Sequence, residues 1–274
     1  MMNMAGNKII AVDLGGTNLR VALVKGKKVL KYLKKPTPKT KEGILNVMVD
    51  LISEIMTKDV KSIGVACPGP LKDGVIKNPP NLPIRNFNLQ KFLKKKFKKK
   101  VVVGNDADAV AMSEAIYGVK KKNFIILTLG TGIGGGIIID GKIFHGEGYG
   151  GELGNIIIDN GMTMEQLWQK NGKECKKCFG KPMLIKELIE SKDRRAKKYL
   201  NNASTYLGQG IASLVNAFDP EVVVLMGGAR EAGNKFLSPI REQSNKYSLL
   251  PKKVNLQWSK ITHPGILGAS LLVK

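Results

Sequence analysis

Two stretches of this sequence pair reactive residue types with a useful spacing. Near the N-terminus, Asp13-Leu14-Gly15-Gly16-Thr17-Asn18 closes the apolar run Lys8 to Val12. In mid-chain, Gly130-Thr131-Gly132-Ile133-Gly134-Gly135-Gly136 separates Phe124 to Leu129 from Ile137 to Ile139. Glycine has no Cβ, so the N–H groups of such turns can approach an anion closely, and Thr17 adds a hydroxyl donor. Both turns join two predicted strands, and Asp140-Gly141 is a further hairpin signal. A turn between strands excludes the simple dinucleotide-binding fold, whose glycines open a helix. Asp13 stands where a carboxylate can hold Mg²⁺ through water.

A second acid lies between the turns. Gly104-Asn105-Asp106 ends the predicted strand Val101 to Val103 and opens a predicted helix, Ala107 to Tyr117. Asn105 and Asp106 have two readings. Both residue types cap helices, and a carboxylate at a strand's C-terminal end is also where open sheets place a general base. One can cap while the other faces a ligand. The partial positive charge of a helix start favours the ionised form of Asp106. A third glycine turn, Met226-Gly227-Gly228-Ala229, follows the apolar run Val222 to Leu225 and suits a planar ligand such as adenine. The loop Asn78-Pro79-Pro80-Asn81-Leu82-Pro83 offers amide side chains that can bond a polyol or shape turns.

The elements that must position these residues follow from periodicity. Glu42 to Thr57 places Ile44, Val47, Met48, Leu51, Ile52 and Ile55 on one helical face. Asn88 to Lys100 reads as a helix with a solvated lysine face, Met162 to Asn171 as a short helix, and Asn201 to Phe218 as a long one. Ser62 to Ala66 is a buried strand that runs into Cys67-Pro68-Gly69-Pro70. Gly265 to Ser270 opens a terminal helix whose small residues permit close packing and suit a hinge.

The chain has 274 residues and a net charge of +23, from 45 Lys and Arg against 22 Asp and Glu. That charge fits anionic partners or a lysine-decorated solvated surface. The lysines are spread along the chain with few arginines and little aromatic interleaving, which favours the surface. No apolar run is long enough to span a bilayer, and the start lacks a signal-peptide core. Three cysteines argue against a disulfide framework and for a cytoplasmic setting. Cys175 and Cys178 have the spacing of a zinc half-site, but no second pair exists and His145 and His263 are distant. They read as two exposed reduced thiols, and no zinc site is expected.

The order of motifs resembles the ROK family of sugar kinases, within the actin-like ATPase and sugar kinase superfamily. The likeness covers nearly the whole chain. It rests on DLGGTN at 13–18, PGP at 68–70, PPNLP at 79–83, GNDADA at 104–109, GTGIGGG at 130–136 and GGELGN at 150–155. It implies an α/β fold of two RNase H-like domains with a cleft between them. The domains would span residues 1–118 and 119–261, the first regaining a C-terminal helix at 262–274. It implies that Asp13, Gly15, Gly16, Thr17, Asn18, Gly130, Thr131, Gly132 and Gly134 serve the ATP phosphates, with Asp13 near Mg²⁺ and Gly227 and Gly228 near the nucleoside. Gly69, Asn81, Asn105, Asp106, Glu152, Asn155 and Glu165 would contact sugar, and Asp106 would take the proton from the attacking hydroxyl.

Two departures matter. Asn155 stands where the family usually has a histidine that binds sugar and zinc. The family's cysteine-rich zinc loop is missing, which leaves Glu165 in the place of that motif's last Glu. The implied activity is ATP-dependent phosphorylation of a hexose, glucose at its 6-hydroxyl first. The alternatives are N-acetylmannosamine, fructose or another sugar as acceptor, or a non-catalytic sugar sensor or anion-binding module. A homodimer is expected. Sequence-specific DNA binding is not, because only twelve residues precede Asp13, too few for a helix-turn-helix.

Overall fold

The computed structural model describes residues 7–69, 71–79, 82–144, 146–147 and 150–273. The chain divides into two compact units, Met1–Lys120 with Ile261–Lys274, and Lys121–Lys260.

In the first unit the chain runs β1 (Lys8–Leu14), β2 (Asn18–Lys25), β3 (Lys28–Pro36), α1 (Lys41–Ile55) and β4 (Val60–Cys67). Three two-residue strands follow, β5 (Leu71–Lys72), β6 (Val75–Ile76) and β7 (Phe87–Asn88), then α2 (Leu89–Phe97), β8 (Lys100–Asn105) and α3 (Asp106–Tyr117). The second unit holds β9 (Phe124–Leu129), β10 (Ile133–Ile139), β11 (Lys142–Ile143), β12 (Ile157–Asp159), β13 (Met162–Thr163), α4 (Met164–Phe179), α5 (Ile185–Glu190), α6 (Arg194–Phe218), β14 (Val222–Gly227), α7 (Asn234–Tyr247) and β15 (Leu256–Trp258). The final helix, α8 (Pro264–Leu271), belongs to the first unit.

The two main sheets share one topology. Their strand orders are β3-β2-β1-β4-β8 and β11-β10-β9-β14-β15. In each, the first three strands are an antiparallel meander and the last two run parallel to the first. The glycine turns Gly15–Thr17 and Gly130–Gly132 therefore occupy corresponding hairpins, β1–β2 and β9–β10.

Period-two alternation decides what faces what in the first unit. Ile10, Val12 and Leu14 of β1 pack with Ile44, Met48, Leu51, Ile52 and Ile55 of α1. Ala11, Ala22 and Ala66 face the other way, against Ala109 of α3 and Ile266, Leu267 and Ala269 of α8. The small residues of that second face let α8 approach the sheet closely. Asp13 continues the Ala11 face, so its carboxylate points to the side of α8. In the second unit Ile125, Leu127 and Leu129 of β9 pack with Ala203, Leu207, Ile211, Leu214 and Val215 of α6.

Several predicted boundaries move. The helix expected at Met162 to Asn171 runs to Phe179, because Thr163 and Gln166 close a capping box at its start and Gly180 ends it at φ 73°. That longer helix carries both cysteines inward. Cys175 is buried and Cys178 half-buried against Leu188, Ala196 and Tyr199, so they are not the two exposed thiols expected. The long helix begins at Arg194, seven residues earlier than expected, capped by Asp193 accepting from the Arg195 N–H at 2.8 Å.

Candidate functional site

In the first unit the chemistry collects at the C-terminal ends of three neighbouring parallel strands. Asp13 pairs in register with Ala66, and Cys67 with Asn105. Asp13 of β1, Cys67 of β4 and Asp106 after β8 thus lie along one sheet edge. Open α/β sheets place ligands at such strand ends.

The Asn105–Asp106 question resolves by geometry. Asn105 is the N-cap, its Oδ1 accepting from the N–H groups of Ala107 at 2.8 Å and Asp108 at 3.1 Å. Asp106 is the first helical residue, and its Oδ1 accepts the Ala107 N–H at 2.9 Å. The capping role is filled by Asn105, which leaves the Asp106 carboxylate available. Burial pushes the Asp106 carboxyl up to about 6, and the nearby charge of Asp13 adds to the rise against the bonds from backbone N–H groups. This overturns the expectation that the helix start would favour the ionised form: desolvation outweighs the helix charge. A carboxylate of that basicity is still about nine-tenths ionised at pH 7.

Asp13 is also raised by burial, opposed by the charge and hydrogen bond of Arg20. Arg20 stands opposite Asp13 in the β1–β2 register, and its Nη1 donates to Asp13 Oδ2 at 2.9 Å. On the other side Gly265 of α8 comes so near that a Cβ there would lie 2.8 Å from the same oxygen. Cys67 senses both carboxylates, and burial pushes its thiol up, so it stays protonated. Asp13 fits a magnesium role. Mg²⁺ usually takes one or two carboxylates beside phosphate oxygens and water, and Asp13 presents a carboxylate at the foot of the anion-type turn.

That turn is held by its neighbours. The Gly15 N–H donates to Asn18 O at 3.0 Å. Thr37 Oγ1 donates to Gly15 O at 2.6 Å, and the Thr37 N–H to Thr17 O at 3.0 Å. The N–H groups of Gly16 and Thr17 are left without a partner among the described residues. Thr37 was missed from sequence because it lies twenty-two residues from Gly15, and only the β2–β3 hairpin returns it.

Gly69 has φ 87° and backs directly onto Pro79, where a Cβ would lie 2.8 Å from Pro79 Cα. The structure thus brings the Pro68-Gly69 turn to the Asn78-Pro79 loop. Arg85 organises that loop, its Nη1 donating to the carbonyls of Leu82 at 2.6 Å, Ile84 at 2.9 Å and Pro79 at 3.2 Å. Asn81, assigned to sugar by resemblance, lies outside the described residues, as do Pro70, Pro80 and His145.

In the second unit the predicted residues gather around the start of β10. The Gly130 N–H donates to Gly132 O at 2.9 Å. Gly134 lies on β10, paired with Thr128. Gly227, at φ 117°, is the β14 partner of Leu129, so the third glycine turn lies beside the foot of the second. Gly154 sits against the Ile133 carbonyl and Gly135 against Leu153, which seats the 150–155 segment on β10. In that segment Asn155 Nδ2 donates to Glu152 Oε2 at 3.4 Å. Glu165 Oε2 accepts the Ile133 N–H at 2.6 Å. Among the described residues no group of three or more His, Cys, Asp or Glu is arranged to hold a metal.

Two α/β units with this duplicated strand order and a glycine turn on each first hairpin define the actin-like ATPase class. The chain belongs to the ROK family, whose profile matches residues 9–178 and 157–274. It is 28% identical over 310 residues to a glucokinase from Thermotoga maritima, covering 97% of each chain. It is 27% identical over 300 residues to a xylose repressor from Caldicellulosiruptor bescii, covering 93% of this chain and 74% of the repressor. Among solved structures, a ROK family glucokinase from Streptomyces griseus, in complex with glucose and AMPPNP, has a TM-score of 0.85 at 25% identity, covering 97% of this chain and 99% of that one.

Proposed function

We propose that this protein transfers the γ-phosphoryl group of ATP to a hexose, with the 6-hydroxyl of glucose as the first acceptor to test. The observation that carries the reading is the Asp13–Asp106 pair. Two partly buried carboxylates stand on one sheet edge, at the ends of β1 and β8 with β4 between them, one at the foot of an anion-type turn, the other released from capping by Asn105. Phosphoryl transfer needs positioning, charge neutralisation and one base, and these residues supply the parts.

Asp106 accepts the proton of the attacking hydroxyl on its carboxylate as the new O–P bond forms and the bond from the γ-phosphorus to the bridging oxygen breaks, that oxygen leaving on ADP. Asp13 would hold Mg²⁺ through water, and the ion would neutralise charge on the phosphate oxygens when bound. In each unit the turn N–H groups without a partner among the described residues, Gly16 and Thr17 in the first and Thr131 and Gly132 in the second, are proposed to bond phosphate oxygens. Glu152 and Asn155 are proposed to contact sugar hydroxyls, with Asn155 as an amide donor and acceptor.

ATP turnover is therefore expected to be stimulated by sugar, because an oriented hydroxyl reacts in place of water. The assay is coupled ADP production across a panel of glucose, mannose, fructose, N-acetylmannosamine and xylose. Absence of stimulation by every sugar would remove the kinase reading. Saturable sugar binding without ADP production would instead favour a sensor, a reading kept alive by the similarity to xylose repressors.

The basicity of Asp106 sets a pH profile. A base must be deprotonated to act, so kcat/KM is expected to be level above about pH 7 and to fall about tenfold per pH unit below about 6. A fall centred near pH 4 would show that burial does not tune this group in the free enzyme.

A further inference from the structure

We propose that Glu165 and Trp168, on the first turns of α4, are positioning residues for the phosphate turn at Gly130 to Gly132. The proposal rests on the phosphotransfer reading.

Each end of the turn is fixed by one of these side chains. Trp168 Nε1 donates to Gly130 O at 3.0 Å. Glu165 Oε2 accepts the Ile133 N–H at 2.6 Å, and its Oε1 accepts from Gln169 Nε2 at 3.2 Å. The Glu165 carboxylate also fills the space a Cβ at Gly132 would need. Between the two anchors, the Thr131 and Gly132 N–H groups have no partner among the described residues.

The turn of the first unit is built the same way from unrelated residues. There Thr37 Oγ1 donates to Gly15 O, the counterpart of Gly130 O, and the Gly16 and Thr17 N–H groups are left open. In both turns a side-chain donor from a later element holds the first glycine's carbonyl. Holding a donor pair before the ligand arrives avoids ordering cost at binding and keeps the dipoles aimed at the charge.

The helix that carries the clamp is itself anchored. Thr163 Oγ1 accepts the Gln166 N–H at 3.2 Å and Gln166 Oε1 accepts the Thr163 N–H at 2.9 Å. Met164 is fully buried, and its N–H donates to Ile156 O at 3.0 Å. Only nine residues link Asn155 to Glu165, and this short β12–β13 connection delivers α4 directly onto the turn.

The experiment compares Glu165→Ala and Trp168→Phe with the unaltered protein. AMPPNP affinity is read by calorimetry, KM for ATP and for the active sugar by steady-state kinetics, and exchange of the 128–135 amides by hydrogen–deuterium measurement. Both variants are expected to weaken AMPPNP binding and raise KM for ATP by about 10-fold, the worth of a hydrogen bond to a charged or buried group. In Trp168→Phe the KM for sugar should stay within about twofold, and in both variants turn amides should exchange faster. An unchanged AMPPNP affinity in both variants would overturn the proposal. Unchanged exchange in both variants would overturn it as well. If the unaltered protein binds no AMPPNP and makes no ADP, the phosphotransfer reading itself fails. If one variant does not fold, the other tests the opposite end of the same turn.

Discussion

Asp106→Asn is expected to lower kcat by about 10²–10⁴-fold and, in the same protein, to raise thermal stability at neutral pH. The first effect follows from removing the proton acceptor while keeping shape. The second follows from the cost of holding a charge at this strand end. The carboxyl is pushed from its ordinary 3.8 to about 6 in the folded chain, chiefly by burial. The folded state therefore binds the proton more tightly than the unfolded state. Stability contributed by that proton is present below about pH 4 and is lost as pH rises through about 6. At neutral pH the ionised group costs roughly 1–3 kcal/mol. Asn carries no charge, and its Oδ1 can still accept the Ala107 N–H. The helix keeps its cap because Asn105, not Asp106, supplies it.

The measurement is a pair of melting curves, at pH 7.5 and pH 4, beside single-turnover kinetics. The gain in melting temperature should be clear at pH 7.5 and vanish at pH 4. A variant that melts lower than its parent at pH 7.5 while turning over normally would make Asp106 a structural residue. The base would then have to be sought elsewhere. Loss of activity with a stability gain is the opposite of what a damaged fold produces, so the two readouts together separate catalysis from structure.

Much of this site was legible in the sequence because its parts are local. Each glycine turn lies between two apolar runs, and strand–turn–strand needs only a dozen residues to declare itself. Asn105 and Asp106 fall where a strand ends and a helix begins, so a cap and a free acid were both implied, although not which was which. That choice depended on backbone φ and ψ at Asn105, which residue type does not record. The basicity of Asp106 was not legible either, because it comes chiefly from burial by elements distant in sequence and then from Asp13, ninety-three positions away. Thr37, Arg85 and Trp168 were missed for a related reason. Each acts on backbone carbonyls, which every residue has, so no pairing of side-chain types signals the contact. The cysteine pair misled because its spacing was weighed without its helix. Once α4 extends to Phe179, positions 175 and 178 fall on its packed side beside Tyr199.

Gly268→Val is expected to cost about 3 kcal/mol or more and to lower the melting temperature by at least about 6 °C. The helix α8 lies against β1, β4 and α3 through small residues. A Cβ at Gly268 would run into the Ala109 carbonyl of α3, and one at Gly64 into the Ala269 carbonyl of α8. These obstacles are backbone atoms, which cannot rotate away as a side chain can, so the whole helix would have to shift. Gly104→Ala is the internal control. Its Cβ would meet only the end of the Leu272 side chain, at 2.8 Å, and a rotamer change relieves that, so about 1 kcal/mol is expected.

The consequence reaches the site because the same helix begins beside Asp13. Gly265 stands one turn before Gly268 and backs onto the Asp13 carboxylate. A shift of α8 large enough to admit the larger side chain would alter that contact and the Asp13–Arg20 bond beside it. Whatever Gly268→Val protein remains folded should therefore need more Mg²⁺ for half-maximal turnover, whereas Gly104→Ala should not. Melting within about 2 °C of the parent would mean that α8 is loosely seated, and the close packing of its small residues would not be what holds Asp13 in place.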